Sequence, residues 1–600
     1  MSQSGVRRRA FLQCAAEVSG AVLLGCARRQ PEEPARETGA IYLADMSRFE
    51  PRSALSRKPM RHHWRLLDFE SDVAKGVMLV AGQNTGAPEI NLPFEQKGWH
   101  RIYFGIRSFG AGEDETKLLV RMDDRNVFTT IRHKQGAPDR IDEYYWRTAD
   151  LTGRRLHLRP FRLQLDPDNA DSIANPSSGV WLAYIKLVPV SGPEASDART
   201  RTLYAHHDAW SYMFWERPTT AEDIERQLEV FRDTDFSRVY WESAQGDRTN
   251  YFSKLGVSTA DDGIQDFYRV GDRLAAESMR ILRKNGIDPL RVAADYLHGM
   301  GLECHATFRP SGFHFDYPLD EWNLGGLYEK HPEWRGTDRE GNRTPRLSYA
   351  YPEMRKAVLE ILKETARYPV EGICVAYNRR PPFLEYDTPI IESFQSRYGT
   401  DPRKLDERDS QWLSHRATFM TQWMRELRQA LDEVGRERGV AKPLEISAIV
   451  MGTEAENLYY GLDLPAWIRE RLVDTIIPYT SGTGLDSSKQ SWVNASEAEF
   501  FLRISLGTRT KLACNLMPRQ LSPDVYRERA LGLYNTGVQH LFFWDCDARA
   551  DFSPSWTILS RLGHREELEQ WARAGRPKYR EPASRLRKFG DWDLRYQTPG

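Results

Sequence analysis

The sequence predicts an α/β protein in which a (β/α)8 barrel (a TIM barrel) follows an N-terminal β-sandwich domain of jelly-roll type. The length of 600 residues exceeds that of one ordinary domain. Near residue 200 the apolar pattern changes from a period of two to short apolar strands alternating with longer amphipathic helices. The net charge is -1, from 84 Lys and Arg against 85 Asp and Glu, which provides no global field for nucleic acid. No nucleic-acid partner is therefore expected.

The first 40 residues resemble an export signal. The run Arg8-Arg9-Ala10-Phe11-Leu12 has the pattern of a twin-arginine signal, and the apolar stretch after it ends in Leu23-Leu24-Gly25-Cys26, as in a lipobox. We expect export to the periplasm or cell envelope, with a lipid on Cys26 as the link to the membrane. A plain amino-terminal helix is the alternative. Residues 1–40 are therefore set apart as signal and linker.

Residues 41–195 are predicted to form the β-sandwich. Apolar residues alternate at a period of two in several segments, such as 98–107, and clusters of Gly, Asp and Pro separate these segments. A module of this kind beside a barrel enzyme is often carbohydrate-binding. Four tryptophans could stack on sugar rings or, alternatively, fill the sandwich core: Trp64, Trp99, Trp146 and Trp181.

Residues 200–570 are predicted to form the barrel. A doubly wound sheet is the alternative, but no glycine-rich phosphate-binding motif follows any predicted strand, and no cofactor is expected. The segment 311–348 is long for a loop, which indicates a functional role. Residues 571–600 are predicted to be a tail that packs on the barrel or remains loose. The eight predicted strands are 202–205, 238–241, 303–308, 372–377, 444–450, 475–479, 511–516 and 540–544.

Side chains that follow the strands of such a barrel meet at one rim, where (β/α)8 enzymes place their sites. Here that rim is rich in carboxylates, arginines, amides and aromatic rings. These groups can bind a polyol and supply acid–base chemistry. A solvated loop acid is the alternative for each carboxylate taken singly.

A metal-dependent hydrolase is the main chemical alternative, with His206, His207 and Asp545 as available ligands. No histidine follows the fifth or sixth predicted strand, so the ligand set typical of such barrels is incomplete and no metal is expected. The four cysteines of the predicted barrel are expected to be buried packing residues: Cys304, Cys374, Cys514 and Cys546.

Six segments of the barrel resemble the bacterial glycosyl hydrolase-like family 10 proteins, which are (β/α)8 proteins often exported as lipoproteins. The resemblance covers about residues 200–550. It departs from the family at strand four, where members commonly read D-G-I-x-L-D and this chain has Glu371 and Ala376. The resembling segments are 331–334, 347–355, 371–382, 394–402, 457–463 with Trp467, and 472–478.

The resemblance implies an exported glycoside hydrolase that acts on a polysaccharide with a pair of carboxyl groups. Because Ala376 stands where the family has an acid, Asp387 and Glu454 are the first candidates for the pair. Glu242 and Asp545 are the next candidates. The arginines suggest an acidic sugar, since guanidinium binds carboxylate bidentately. The alternative is that Arg379 or Arg380 pairs with Glu385 or Asp387 of the same loop. A catalytically silent, glycan-binding lipoprotein is the alternative. Substrate positioning is expected from Asp208, Arg309, Tyr377, Asn378, Arg379, Asn515 and Trp544.

Overall fold

A computed structural model describes most of the chain beyond the predicted signal. Cys26 and the rest of that signal lie outside the described residues, and so does Asp545. The described ranges are 39–82, 85–107, 115–134, 139–161, 179–191, 199–258, 267–480, 492–516, 522–544, 546, 552–553, 555–575 and 583–593. Among the helices in these ranges, none has both the length and the apolar character needed to cross a membrane.

The described strands and helices fall into an early all-β part and a later alternating part. The strands are β1 Ile41–Leu43, β2 Leu55–Ser56, β3 Trp64–Ser71, β4 Lys75–Gly82, β5 Ile90–Pro93, β6 Trp99–Arg107, β7 Glu115–Met122, β8 Thr129–Lys134, β9 Arg140–Asp150, β10 Arg155–Pro160, β11 Gly179–Pro189, β12 Leu203–His207, β13 Phe236–Gln245, β14 Arg248–Thr249, β15 Val257–Ser258, β16 Glu303–Arg309, β17 Arg335–Thr337, β18 Arg343–Leu347, β19 Gly372–Ala376, β20 Glu445–Met451, β21 Thr475–Tyr479, β22 Lys511–Asn515, β23 His540–Phe543, β24 Phe552–Ser553, β25 Ala583–Phe589 and β26 Trp592–Asp593. The α-helices are α1 Ser211–Glu216, α2 Ala221–Glu229, α3 Val270–Lys284, α4 Pro289–Gly299, α5 Leu327–Lys330, α6 Pro352–Ala366, α7 Thr388–Tyr398, α8 Ser410–Arg438, α9 Glu454–Tyr459, α10 Leu464–Arg469, α11 Ala495–Ser505, α12 Pro523–Thr536, α13 Ser555–Leu559 and α14 Arg565–Ala574.

Eight parallel strands close the predicted barrel. The strand order is β12-β23-β22-β21-β20-β19-β16-β13, and β12 pairs with both β23 and β13. Closure leaves the sheet without a free edge. All eight predicted strands are present with small shifts at their ends, which confirms the predicted fold class.

An ion cluster around the buried Arg238 lies at the amino-terminal end of the barrel. Arg238 of β13 pairs with Glu303 of β16 at 2.5 Å and with Glu445 of β20 at 2.8 Å. Its Nη1 also contacts the hydroxyl of Tyr240 at 3.2 Å. These contacts satisfy the charge of Arg238 inside the barrel. Ligand sites of (β/α)8 proteins lie at the opposite, carboxyl-terminal end.

Two mainly antiparallel sheets form the N-terminal module and pack around a common apolar core. The larger sheet runs β2-β3-β4-β11-β6-β9-β25-β26, with β1 on β11. The smaller sheet runs β24-β8-β7-β10-β5. The alternating apolar pattern therefore corresponds to two facing sheets, as predicted for a sandwich.

Two strands from the later part of the chain complete this module. β24, which comes after the last barrel strand, pairs in parallel with β8. β25 pairs with β9 through residues 583–585 and with β3 through residues 586–589. The predicted tail thus contributes a strand to the N-terminal module, and Leu586 of that strand is fully buried. The module and the barrel are therefore linked through both ends of the barrel sequence.

A buried carboxylate strengthens the contact between module and barrel. Glu216, at the end of α1, forms an ion pair with Arg132 of β8 and lies 3.9 Å from both Lys117 and Arg226. Burial acts to raise the pKa of Glu216, but the three cations, with Arg132 foremost, outweigh it and hold that pKa at about 2. Glu216 therefore stays ionised at the interface.

Candidate active site

Inward-facing side chains of the barrel strands meet at the carboxyl-terminal rim. Successive residues of a strand alternate between faces, so Arg238, Tyr240 and Glu242 of β13 point inward together. Tyr240 accordingly reaches Ser447 across the barrel at 3.1 Å. By the same alternation, β16 presents Arg309 as its last residue. Because β13 continues beyond its predicted end, Glu242 lies within the strand and is buried.

Arg309 joins two carboxyl groups that come from different strands. Its guanidinium forms an ion pair with Glu242, and its Nη2 lies 3.9 Å from Oδ2 of Asp208, which follows β12. The backbone N–H groups of Trp210 and Ser211 donate to Oδ1 of Asp208 at 3.0 and 3.2 Å. The Ser211 hydroxyl donates to Oδ2 at 2.8 Å. Asp208 is therefore held in one orientation before any ligand arrives.

The two carboxyl groups differ in their affinity for a proton. Burial raises the pKa of Glu242 to about 7; the charge of Asp208 adds to this increase, while Arg309 and Arg379 oppose it. Burial also acts to raise the pKa of Asp208, but the charge of Arg309 and the Ser211 hydroxyl outweigh it and hold that pKa at about 2. Below neutral pH the pair therefore contains one protonated acid and one carboxylate.

Aromatic and polar side chains surround this pair. The rings of His206 and Trp544 stack with centroids 3.9 Å apart, and Nε2 of His206 lies 3.7 Å from Oε2 of Glu242. The guanidinium carbon of Arg379 lies 5.5 Å from the centroid of the Trp544 ring. Asn515 accepts a hydrogen bond from the backbone N–H of Trp544 at 3.4 Å. Side chains predicted at five different strand ends thus lie near one another.

A cavity of about 600 Å³ adjoins the cluster. Trp210, Phe315 and Trp322 give it an aromatic surface, and the rings of Trp210 and Trp322 meet edge to face with centroids 5.4 Å apart. Trp210 and Ser211, which hold Asp208, line the cavity, so a ligand in it lies close to the carboxyl pair. The basic part of the lining consists of six arginines: Arg248, Arg269, Arg309, Arg346, Arg379 and Arg380.

Two glycines bring the loops around the cavity together. Gly246 has φ +57°, and a Cβ at this position would lie 2.7 Å from the backbone carbon of Gly312. A Cβ at Gly312 would in turn lie 2.7 Å from Cγ of Gln245. Only glycine permits this approach without displacing backbone. It joins the turn after β13 to the loop after β16, and Gln245 and Gly312 both line the cavity.

Asp387 occupies a buried position in a hydrogen-bond network. It accepts hydrogen bonds from the backbone N–H of Thr337 at 2.9 Å and of Glu385 at 3.0 Å, and from the Ser348 hydroxyl at 2.5 Å. Burial raises the pKa of Asp387 despite these donors. The carboxylate thereby ties the β17–β18 hairpin to the start of α7, an arrangement in which its oxygens serve the loop structure.

Glu454, predicted to be a catalytic acid, and Tyr377, predicted to position substrate, are not among the residues that line the cavity. Glu454 is the first residue of α9 and is exposed to solvent. The ring of Tyr377 is fully buried against α8: its hydroxyl donates to Sδ of Met424 at 3.2 Å and accepts from Nε1 of Trp423 at 3.1 Å. Strand alternation explains this placement, because the residue after inward-facing Ala376 points outward, towards the helices.

Two further predicted site residues, Asn378 and His207, are buried. Asn378 is buried at the end of the same strand segment. His207 stacks on Trp241 with centroids 4.5 Å apart, and burial lowers the pKa of His207 to about 3. No group of three or more His, Cys, Asp or Glu side chains among the described residues is arranged to hold a metal ion. The cysteines predicted to be packing residues are buried thiols: Cys304, Cys374, Cys514 and Cys546.

Sequence reasoning missed several side chains that line the cavity. Trp210 follows the first barrel strand, but the chain contains many tryptophans and the sequence gives no reason to choose this one. Phe315, Trp322 and Arg346 all belong to the segment 311–348, whose unusual length was the available signal. Length marks such a loop as functional, but only the folded path of the loop shows which of its residues face the cavity.

The four tryptophans of the N-terminal module have different environments. Trp64 is fully buried and donates from Nε1 to the carbonyl of Pro88 at 2.9 Å, so it fills the core. Trp181 packs edge to face against Phe589 of β25. Trp99 and Trp146 line a cleft of about 360 Å³ between module and barrel. Only these last two are placed to meet a ligand in that cleft.

Comparisons with known proteins identify similar solved structures but no matching family. No family model and no curated protein matches it. Similar solved structures include the catalytic domain of β-amylase from Paenibacillus polymyxa, with 12% identity and a TM-score of 0.37 over 60% of this chain and 98% of that one. An α-galactosidase from Thermus thermophilus has 12% identity and a TM-score of 0.29 over 83% and 94% of the two chains.

A third similar structure contains the CBM22-1 and GH10 modules of an endo-1,4-β-D-xylanase from Clostridium thermocellum. It has 9% identity and a TM-score of 0.30 over 86% of this chain and 95% of that one. These neighbours are glycoside hydrolases, but similarity at this distance assigns no activity to the present chain. Membership of glycosyl hydrolase-like family 10 stays a prediction.

Proposed function

We propose that this protein is a glycoside hydrolase that cleaves a polysaccharide or oligosaccharide at the carboxyl-terminal rim of its barrel. The observation that carries the proposal is the pair of carboxyl groups, Glu242 and Asp208, which share Arg309 and have widely separated pKa values. Glycosidic cleavage needs one carboxylic acid and one carboxylate on either side of the bond. Within the site, this pair meets that requirement most directly.

In the proposed reaction, Glu242 is the general acid. Its protonated carboxyl donates to the glycosidic oxygen as the bond to the anomeric carbon breaks. Asp208, already ionised, then acts either as the nucleophile or as the base that activates water.

The shared contact with Arg309 sets an upper limit on the separation of the two carboxyl groups. Both reach the same guanidinium nitrogen, one as an ion pair and the other at 3.9 Å. With an ordinary hydrogen-bond length on the Glu242 side, their nearest oxygens are at most about 7 Å apart. Glycosidases place their carboxyl pairs about 5 to 9.5 Å apart, depending on the stereochemical outcome.

A glycan-binding protein without catalysis is the second candidate, and one observation favours it. Glu242 is only 1% exposed and lies beneath Arg309, which itself lines the cavity. Hydrolysis therefore requires a bound sugar to draw Arg309 away from the Glu242 carboxyl. If Arg309 keeps its place when glycan binds, the acid has no access to the glycosidic oxygen.

A polysaccharide panel with detection of new reducing ends tests the proposed function. We expect at least one polymer to be cleaved by the parent protein and no cleavage of it by Glu242→Gln. Binding of a glycan without cleavage by the parent protein would contradict hydrolysis and support the second candidate. Retained activity after treatment with a chelator would exclude the metal-dependent alternative.

We also propose that the protein is exported and lipid-anchored through Cys26, on the strength of the signal-like sequence alone. Labelling of cells with a radioactive fatty acid tests this proposal. The parent protein should incorporate the label and fractionate with membranes, whereas Cys26→Ser should do neither. Retention of the protein in the cytoplasm with its first residues intact would contradict export.

A further inference from the structure

We propose that Arg346, Arg379 and Arg380 form a subsite for the negatively charged group, a carboxylate or a sulfate ester, of an anionic saccharide. This inference rests on the proposed function in taking the ligand to be a saccharide. The three arginines are part of the basic lining of the 600 Å³ cavity, beside the carboxyl pair. The ligand class follows from their charge, from the absence of an ion pair between them and any carboxylate of the described residues, and from the aromatic surface they share.

The arginines of the cavity differ in whether a carboxylate forms an ion pair with them. Arg269 forms two hydrogen bonds with Asp272, at 2.6 and 3.0 Å, and Arg309 is paired with Glu242. By contrast, Arg346, Arg379 and Arg380 form no ion pair with any carboxylate of the described residues. No carboxylate of the described residues is thus in ion-pair contact with these three guanidinium groups. More distant carboxylates, such as Asp316 for Arg346 and Arg380, offset only part of their charge.

Contacts with backbone carbonyls and aromatic rings hold the three guanidinium groups in place. Nη1 of Arg380 donates to the carbonyl of His314 at 2.8 Å, and its guanidinium carbon lies 4.8 Å from the centroid of the Phe315 ring. Arg379 lies over Trp544, and Nη1 of Arg346 donates to the carbonyl of Pro345 at 2.7 Å. Each contact holds a guanidinium while leaving further N–H donors for an anion.

The positive charges of the cavity arginines repel one another. Burial lowers the pKa of Arg380, and the charges of Arg346, Arg309 and Arg379 lower it further, while the charge of Asp316 partly opposes them. Arg380 also has φ +52°, a conformation that costs free energy for a residue with a side chain. A cluster of like charges on strained backbone is unfavourable by itself, and a bound anion would relieve the repulsion.

The aromatic surface indicates a saccharide carrying the charge. The apolar faces of sugar rings pack on aromatic side chains, and Trp210, Phe315 and Trp322 lie in the same cavity as the arginines. Tyr317, in the same loop as Phe315, is 86% exposed and could extend this surface along a longer chain. Acidic groups on a saccharide would then meet the guanidinium groups bidentately.

The test compares acidic oligosaccharides with their own neutral forms by isothermal titration calorimetry. The ligands are hexamers of several uronic acids and of sulfated sugars, together with the carboxyl-reduced or desulfated product of each. Each pair keeps its sugar ring and linkage and differs in charge alone. We expect at least one acidic hexamer to bind about tenfold or more tightly than its neutral form, and to lose affinity as salt is raised. The uronate and sulfate arms identify the anionic group.

Substitutions of single arginines test where the charged group of the hexamer binds. Arg346→Gln and Arg380→Gln should each weaken binding of that hexamer about tenfold without changing binding of its neutral form. Arg425→Gln is the matched control, because Arg425 is paired with Glu470 by two hydrogen bonds and does not line the cavity, so its loss should change the affinity less than threefold. Unchanged melting temperatures would show that the variants are folded.

The outcomes separate this inference from the proposed function. Equal affinity for acidic and neutral forms, no binding of any acidic hexamer, or binding that is unaffected by Arg346→Gln and Arg380→Gln would overturn the subsite. Tight binding of an acidic hexamer that the protein does not cleave would retain the subsite and contradict hydrolysis. Cleavage of neutral glycans alone, without binding of any acidic hexamer, would support hydrolysis and overturn the subsite.

Discussion

Arg309 forms an ion pair with Glu242 and places the same nitrogen 3.9 Å from Asp208. One guanidinium thus opposes the burial of two carboxyl groups, but to different extents. Asp208 has further donors from its own turn and ionises readily, whereas Glu242 has little other compensation and keeps its proton up to a pKa of about 7. This division of roles underlies the following expectations.

Glu242→Gln should lower kcat/KM on the cleaved polysaccharide by about 10²- to 10⁴-fold, because the amide cannot donate the proton that the leaving oxygen needs. Steady-state kinetics on the polymer identified in the panel measures this change. Glu454→Gln distinguishes the assignment of the acid from the structure, which favours Glu242, from the assignment from the sequence, which favoured Glu454. Because Glu454 is exposed at the start of α9, we expect Glu454→Gln to have near-parental activity. A large loss in Glu454→Gln with full activity in Glu242→Gln would reverse the assignment.

The pH profile of kcat/KM should be bell-shaped. Glu242 must be protonated to act as an acid, so activity should fall about tenfold per pH unit above about pH 7. Asp208 must be ionised, so the acid limb should lie near pH 2. Arg309 lowers both pKa values, and Arg309→Met should therefore move both limbs to higher pH. Limbs that stay in place in Arg309→Met would show that these two groups do not control the profile.

Asp387→Asn should destabilise the fold more than it affects the chemistry. An amide cannot accept all three hydrogen bonds that the carboxylate receives, since its NH₂ group would face a donor. We expect the free energy of unfolding to fall by about 1–3 kcal/mol, measured by denaturant titration. Glu392→Gln, on the exposed face of α7, should change it by less than about 0.5 kcal/mol. A parental stability with abolished activity would instead indicate a catalytic role for Asp387.

Leu586→Ala should destabilise the N-terminal module, although Leu586 lies near the carboxyl terminus of the chain. Its side chain is fully buried where β25 joins β3, so the cavity left behind should cost about 2–5 kcal/mol. Lys588→Ala, on the same strand and exposed, should cost less than about 0.5 kcal/mol. Limited proteolysis should cut residues 41–195 first in Leu586→Ala. Equal protease resistance of the two variants would argue against β25 as a structural strand of the module.

The carboxyl-terminal strand shows one limit of sequence-based prediction. The segment 583–589 is short and contains three cationic residues, so neither its composition nor its periodicity distinguishes it from a solvated tail. Its partners, β3 and β9, lie more than 400 residues earlier in the chain. Only their arrangement in space provides the edges on which this segment becomes a strand.

The sequence by itself determined the barrel, its eight strands and the rim as the place of the site, because strand–helix alternation is a local pattern that repeats along the chain. It also identified Asp208, Glu242, Arg309 and Arg379 as rim residues. It could not rank the carboxyl groups, since burial and neighbouring charge set their pKa values and both depend on contacts between distant residues. The tertiary structure decided that Glu242 meets Asp208 at Arg309, whereas Asp387 holds a loop and Glu454 faces solvent.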